Sequence, residues 1–267
     1  VPTASKAVSS PMRIAAVSFL NTRPLVHGLD QDPACAVVYD VPARLPGLLH
    51  AGAAEVALVP VVDLLEAGNA WRIVSDACIG CSGETLTVRV FCRVAPARVR
   101  TLHVDGDSHT SVLLARLLWR ELFGCELRLE AYTGREPAGG IEAVLLIGDK
   151  VIRQATDAFP AAVDLGAAWQ SLTGLPFVFA VWAGAADRNL SGVAARLSRA
   201  RDEGVRVARR IARTFGPRMG WPVDLARSYL TRHLQFTLTE HHQAGMQRFF
   251  GLLARHGLAA APELACT

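Results

Sequence analysis

Lysine is almost missing from this sequence. Lys6 and Lys150 are the only two in 267 residues, so nearly all the positive charge is arginine. Arginine suits bidentate carboxylate binding, although genome composition alone also explains the bias. Charge of either sign is scarce, at 19% of residues, and the net charge is +4. So mild an excess points to a soluble chain with an arginine-rich surface and argues against a nucleic-acid partner. No apolar run approaches the roughly 18 residues of a spanning helix, so no membrane partner is expected. GxGxxG, the Walker loop, HExxH and GxSxG are all missing. Nucleotide-dependent and serine-hydrolase mechanisms therefore lack support.

A second metal-ligand pair is missing too. Cys78-Ile79-Gly80-Cys81 has redox or zinc spacing, but no matching CxxC or HxxxH follows at a useful distance. His241 and His242 are adjacent on a helical segment. Neighbouring helix residues point about 100° apart and cannot readily chelate one metal. No metal and no cofactor are expected. Cys35, Cys92, Cys125 and Cys266 complete the set. They read as ordinary reduced core cysteines, which favours a cytoplasmic compartment. Residues 1–11 are small and polar with no hydrophobic region, unlike a secretory signal. They read as a disordered extension.

What is present is apolar and periodic. Hydrophobic residues make up 51% of the chain. A chain this long should bury roughly three quarters of its unfolded surface, as one large domain or two medium ones. Strands are expected at residues 13–19, 37–39 and 55–59, alternating with helices at 43–51 and 62–67. This βαβαβα order predicts a parallel sheet covered by helices. A β-rich stretch follows at 73–75 and 86–93. Pro96 and the turn at 98–100 read as a boundary. A second series has strands at 101–104, 127–131 and 143–147, with a helix at 110–123 stopped by Gly124. "FVFAVWA" at 177–183 is a strongly apolar strand, and helices at 190–215, 224–233 and 240–256 complete the chain. The simplest assembly is an α/β fold of two lobes with a cleft between them, like the type 2 periplasmic binding proteins. Lobe 1 would comprise 12–97 and 177–267, and lobe 2 would comprise 98–176.

Four places can carry chemistry. Ser18 and Asn21 follow the first strand, where open α/β sheets tend to bind ligands. Asn21 serves either as a turn former or as a ligand amide that donates and accepts. Ser82, Gly83, Thr85 and Thr87 lie in "SGETLT", whose alternating hydroxyls either line a site or face solvent. Ser108, Thr110 and Ser111 precede or begin a helix. Capping needs only one of them, and such a helix start also attracts anions. Gly148 and Asp149 end the strand "AVLLI", where Asp149 either caps a helix or faces the cleft. Convergence of both lobes on one cleft would give a site for a small polar, anionic ligand.

Four segments, "VSFLNTRPL" (17–25), "DGDSHTSVLLARLL" (105–118), "LLIGDKVI" (145–152) and "DLGAAWQSLTGLPFVFAVWA" (164–183), occur in order. Together they resemble the chorismate dehydratase family of the futalosine route to menaquinone. The likeness spans nearly the whole chain. It implies a binding-protein fold recruited to remove water from chorismate, giving 3-[(1-carboxyvinyl)oxy]benzoate, without metal or organic cofactor. It assigns Asn21 and Thr87 to catalysis. Thr87 falls where the family commonly has serine. Ser18, Ser82, Gly83, Ser108, Thr110, Ser111, Gly148 and Asp149 would contact substrate. Val61 departs from the small polar residue expected after Pro60, so any contact there is through backbone or absent. Asp149 and Glu84 are candidate bases, but a carboxylate beside a dianion costs binding. The substrate's own enolpyruvyl carboxylate is the alternative acceptor. The sister enzyme 1,4-dihydroxy-6-naphthoate synthase and a non-catalytic anion-binding protein are the competing readings.

Overall fold

A computed structural model describes residues 10–136, 140–154, 156 and 158–259. Most of the expected extension at 1–11, and Cys266, lie outside these residues.

The first sheet has six strands: β1 (Met12–Val17), β2 (Cys35–Asp40), β3 (Val56–Pro60), β4 (Trp71–Cys81), β10 (Phe177–Ala185) and β11 (Leu234–Thr237). Their order is β11-β4-β10-β3-β1-β2. The β1 strand pairs in parallel with β2 and β3, while β10 runs antiparallel between β3 and β4. The second sheet has β5 (Val88–Cys92), β6 (Thr101–Val104), β7 (Arg128–Ala131), β8 (Ala143–Ile147) and β9 (Ala161–Asp164), ordered β7-β6-β8-β5-β9. The β3 and β8 strands are buried at every position. That is why they read as unbroken apolar runs.

The change of sheet comes earlier than the sequence suggests. The β5 strand pairs with β8 and β9, so the chain leaves the first sheet through residues 82–87. The turn at 96–100 connects two strands of the second sheet and is no boundary between lobes. An apolar strand such as β5 suits either sheet equally, and its pairing partners lie 50 or more residues downstream. The chain returns between α5 (Leu165–Thr173) and β10.

Helix α3 (His109–Phe123) starts at an N-cap serine and stops at Gly124 in the left-handed region, as its pattern implies. The long helix expected at 190–215 is two, α6 (Ser191–Arg206) and α7 (Ala208–Phe215), broken at Val207. Gly204 lets α6 ride directly on the turn after β1, where a Cβ would stand 2.0 Å from the Pro24 carbonyl oxygen. The segment expected as a helix at 224–233 is α8 (Val223–Ser228) running into a π-helical turn, Tyr229–His233. Helix α9 (Glu240–Arg255) follows β11. Trp169 of α5, Phe177 of β10 and Phe249 of α9 meet edge to face with centroids 5.0–5.9 Å apart, tying the returning chain to the first sheet. Among the described residues no helix is long and apolar enough to cross a membrane.

Cys35, Cys78, Cys81, Cys92 and Cys125 are free thiols. Burial pushes Cys78 up to about 12, so the CxxC pair is packing material with no thiolate character. Both His242 ring nitrogens are occupied, Nδ1 by Thr239 and Nε2 by Gln235, each at 2.8 Å.

Candidate active site

A narrow cavity lies between the two sheets. Asn21, Thr87, Ser108, Ser111 and Gly148 line it, together with Thr85, Tyr229 and the apolar Phe19, Ile79 and Phe179. The first sheet supplies Asn21 from the single turn Leu20–Thr22 after β1. The second sheet supplies Gly148 at the end of β8 and the start of α3. Thr85 and Thr87 come from the crossing segment itself.

That segment is held in an unusual shape. Leu86 has φ 68°, a left-handed backbone that a leucine adopts only under constraint. The constraint is Asp164, at the end of β9. Its carboxylate accepts from the Thr85 amide at 3.0 Å and the Leu86 amide at 2.8 Å. It also caps α5 through the Gly166 and Ala167 amides, each at 3.1 Å. Thr85 and Thr87, two positions apart, both line the cavity.

Thr87 is 1% exposed, and its Oγ1 lies 2.7 Å from the Tyr229 hydroxyl. Its carbonyl accepts from the Gly148 amide at 2.8 Å. Gly148 has φ 60° and sits against the Phe19 ring, where a Cβ would come within 2.4 Å. Ser108 caps α3 by accepting from the Ser111 amide at 3.2 Å, and its hydroxyl donates to Ser111 Oγ at 2.9 Å. The two hydroxyls therefore sit together at a helix start that favours negative charge.

Ser18, Ser82, Gly83, Thr110 and Asp149 are not among the lining residues. The Ser18 amide donates to the Asp40 carbonyl at 2.9 Å, extending the β1–β2 ladder. Ser82 is exposed, and Gly83 makes the turn with φ 97°. Thr110 accepts from the Val62 amide at 3.3 Å, which links α3 to the first lobe. Asp149 is 3% exposed and accepts from the Leu20 amide at 3.2 Å and the Trp221 indole at 2.8 Å. Burial raises its pKa above the usual carboxylate value, against the pull of those two donors. Glu84 is on the surface beside Arg89. Val61 makes no contact with the cavity: its side chain is buried and its amide is spent on the Phe179 carbonyl.

Among the described residues no charged side chain lines the cavity. Tyr229 is the one ionisable lining residue among those described, and burial raises its pKa well above the ordinary value. An anion placed here would meet hydroxyls, an amide and helix-start N–H groups rather than a counter-ion.

Tyr229 was not legible in the sequence. It lies 142 positions from Thr87, in a segment that reads as an ordinary amphipathic helix. Trp221 stacked on its ring at 4.7 Å and 17° is a contact that no spacing rule yields. Phe19 was equally hidden, because an aromatic at a strand end reads as core.

Two sheets enclosing a neutral, hydroxyl-lined cavity define the two-lobed periplasmic-binding-protein fold, and solved structures share it. Protein AF1704 of Archaeoglobus fulgidus superposes with a TM-score of 0.72 at 16% identity, over 94% of this chain and 100% of that one. The periplasmic aliphatic sulphonate binding protein SsuA of Escherichia coli superposes with a TM-score of 0.61 at 14% identity, over 94% of each chain. Residues 12–255 match the menaquinone biosynthesis family, and the chain belongs to it. A curated relative, the chorismate dehydratase of Thermus thermophilus, is 29% identical over 91% of this chain and 94% of its own length.

Proposed function

We propose that this protein is a chorismate dehydratase, a hydro-lyase of menaquinone biosynthesis. The observation that carries the reading is the neutral cavity, with Asn21, Thr87, Ser108 and Ser111 converging from both lobes in a chain of this family. The relative's activity supports the same substrate.

Chorismate carries two carboxylates, a ring hydroxyl and a cyclohexadiene. Loss of the C3 proton and the C4 hydroxyl makes a benzene ring and 3-[(1-carboxyvinyl)oxy]benzoate. Aromaticity supplies the driving force, so the protein has only to position the substrate and stabilise the departing oxygen. The α3 start, with Ser108 and Ser111, holds one carboxylate. Asn21 and Thr87 hydrogen-bond the C4 hydroxyl as it leaves. The C3 proton goes to the substrate's own enolpyruvyl carboxylate, because neither Asp149 nor Glu84 lines the cavity. That proton then completes the water molecule, and the protein ends unchanged.

We place the enzyme in the cytoplasm, where free buried thiols such as Cys78 and Cys81 stay reduced. The test is direct. Metal-stripped protein is mixed with chorismate and followed by ultraviolet spectrum and mass. A product one water lighter supports the reading. Unchanged chorismate with turnover of cyclic dehypoxanthine futalosine would instead identify the sister naphthoate synthase. Binding without turnover would identify a receptor.

A further inference from the structure

The Tyr229 phenol has little freedom. The residue is 1% exposed and opens the π-helical turn after α8. Its ring stacks on Trp221, and Trp221 is itself pinned through its indole N–H to Asp149. The hydroxyl can therefore address a narrow set of partners: Thr87 Oγ1 stands at 2.7 Å, and the Asn21 side chain is also within reach.

Either oxygen can be the donor in that pair. The direction matters, because a threonine hydroxyl has one proton. If Thr87 donates to Tyr229, it can only accept from the substrate. If Tyr229 donates, the Thr87 proton is free to point into the cavity. A phenol is a far stronger hydrogen-bond donor than an aliphatic alcohol, which favours the second arrangement. A hydroxyl that accepts one bond also donates the next more strongly.

We propose that Tyr229 is a positioning residue for the dehydration: its hydroxyl donates to Thr87 Oγ1 and thereby aims the threonine proton at the leaving oxygen. The inference rests on the dehydratase reading and adds a residue to it. As the C4–O bond breaks, its electron pair stays on oxygen, and the Thr87 O–H donates a hydrogen bond to that oxygen without giving up its proton. The proton that completes water comes from C3 by way of the substrate carboxylate. Burial keeps the phenol neutral, and the nearby ionisable groups, Asp149 and Cys81, push in the same direction. Thr87 and the neighbouring Asn21 push the other way and are outweighed.

The test is a set of variants assayed with chorismate. Tyr229→Phe keeps the ring and its stack on Trp221 and removes one hydroxyl. Its kcat should fall roughly ten- to hundredfold, with KM changed less than about threefold. In a Thr87→Ala background the same change should have no further effect on kcat. A merely structural role would instead be additive. Should Tyr229→Phe unfold, 3,5-difluorotyrosine at position 229 keeps both ring and hydroxyl. Its lower pKa should bring the alkaline loss of kcat to lower pH than in the natural protein. Wild-type kcat in Tyr229→Phe, additivity in the double variant, or an unmoved alkaline limb overturns the inference alone. Absence of chorismate turnover in the unmodified protein overturns the dehydratase reading and this inference with it.

Discussion

The Trp221 indole donates to Asp149 at 2.8 Å, across the junction between the C-terminal helices and the end of β8. The same carboxylate oxygen accepts the Leu20 amide, one residue before Asn21. Asp149 therefore braces the turn that presents Asn21 and does not itself line the cavity. Asp149→Asn keeps an acceptor in place and should retain turnover within about tenfold. Asp149→Ala strands two buried donors and should cost about 2–4 kcal/mol in denaturant unfolding. A thousandfold loss of kcat in a folded Asp149→Asn protein would make Asp149 the base after all.

Asp164 organises the crossing segment by taking four backbone N–H groups and holding Leu86 left-handed. Asp164→Ala removes a helix cap and two loop anchors together. It should lower unfolding free energy by about 2–4 kcal/mol and reduce kcat by releasing Thr85 and Thr87. Unchanged kcat in the folded variant would show that the segment keeps its shape without the carboxylate.

Gly148 combines a left-handed backbone with contact against the Phe19 ring. Gly148→Ala must displace Phe19, a cavity wall, and pay for strained backbone of about 1–3 kcal/mol. Substrate affinity should fall at least tenfold by calorimetry or KM, more than for Gly106→Ala, where a Cβ meets nothing within 4 Å.

The parallel start of the first sheet was readable because β3 is an unbroken apolar run and β1 is nearly so. In the second lobe β8 is apolar throughout and α3 carries both its cap and its stop; the order of the strands was not readable. The short β9 strand and α5 were not expected. The motif containing them is a resemblance signal, and Asp164 acts through backbone amides that carry no sequence code. Asn21, Ser108, Ser111 and Gly148 were singled out because each lies at a strand end or helix start, and Thr87 because of the alternating hydroxyls in "SGETLT"; all five line the cavity. Asp149 shares that position, but its side chain turns toward Trp221, and only the packing of residues 72 positions apart decides that.

His109 Nδ1 lies 2.7 Å from Asp63, joining the α3 start to α2 (Asp63–Ala67) of the first lobe. The Asp63 hydrogen bond raises the His109 pKa above 6.5, with burial opposing. A raised histidine pKa gives stability that is full below the unfolded value and is lost as pH rises through the folded one. His109→Gln should therefore be less stable than the natural protein near pH 6. The gap should narrow as pH rises well above 6.5. A gap of constant size across pH 6–9 would show that the pair's ionisation does not contribute.

The central claim is that a neutral cavity dehydrates chorismate by holding it while its own enolpyruvyl carboxylate takes the C3 proton. The most direct measurement compares turnover of chorismate with that of the analogue whose enolpyruvyl carboxylate is a primary amide. The account predicts a one-water-lighter aromatic product from chorismate, and an analogue that binds but loses water at least a thousandfold more slowly. Unchanged chorismate, or an analogue dehydrated at a comparable rate, would contradict it.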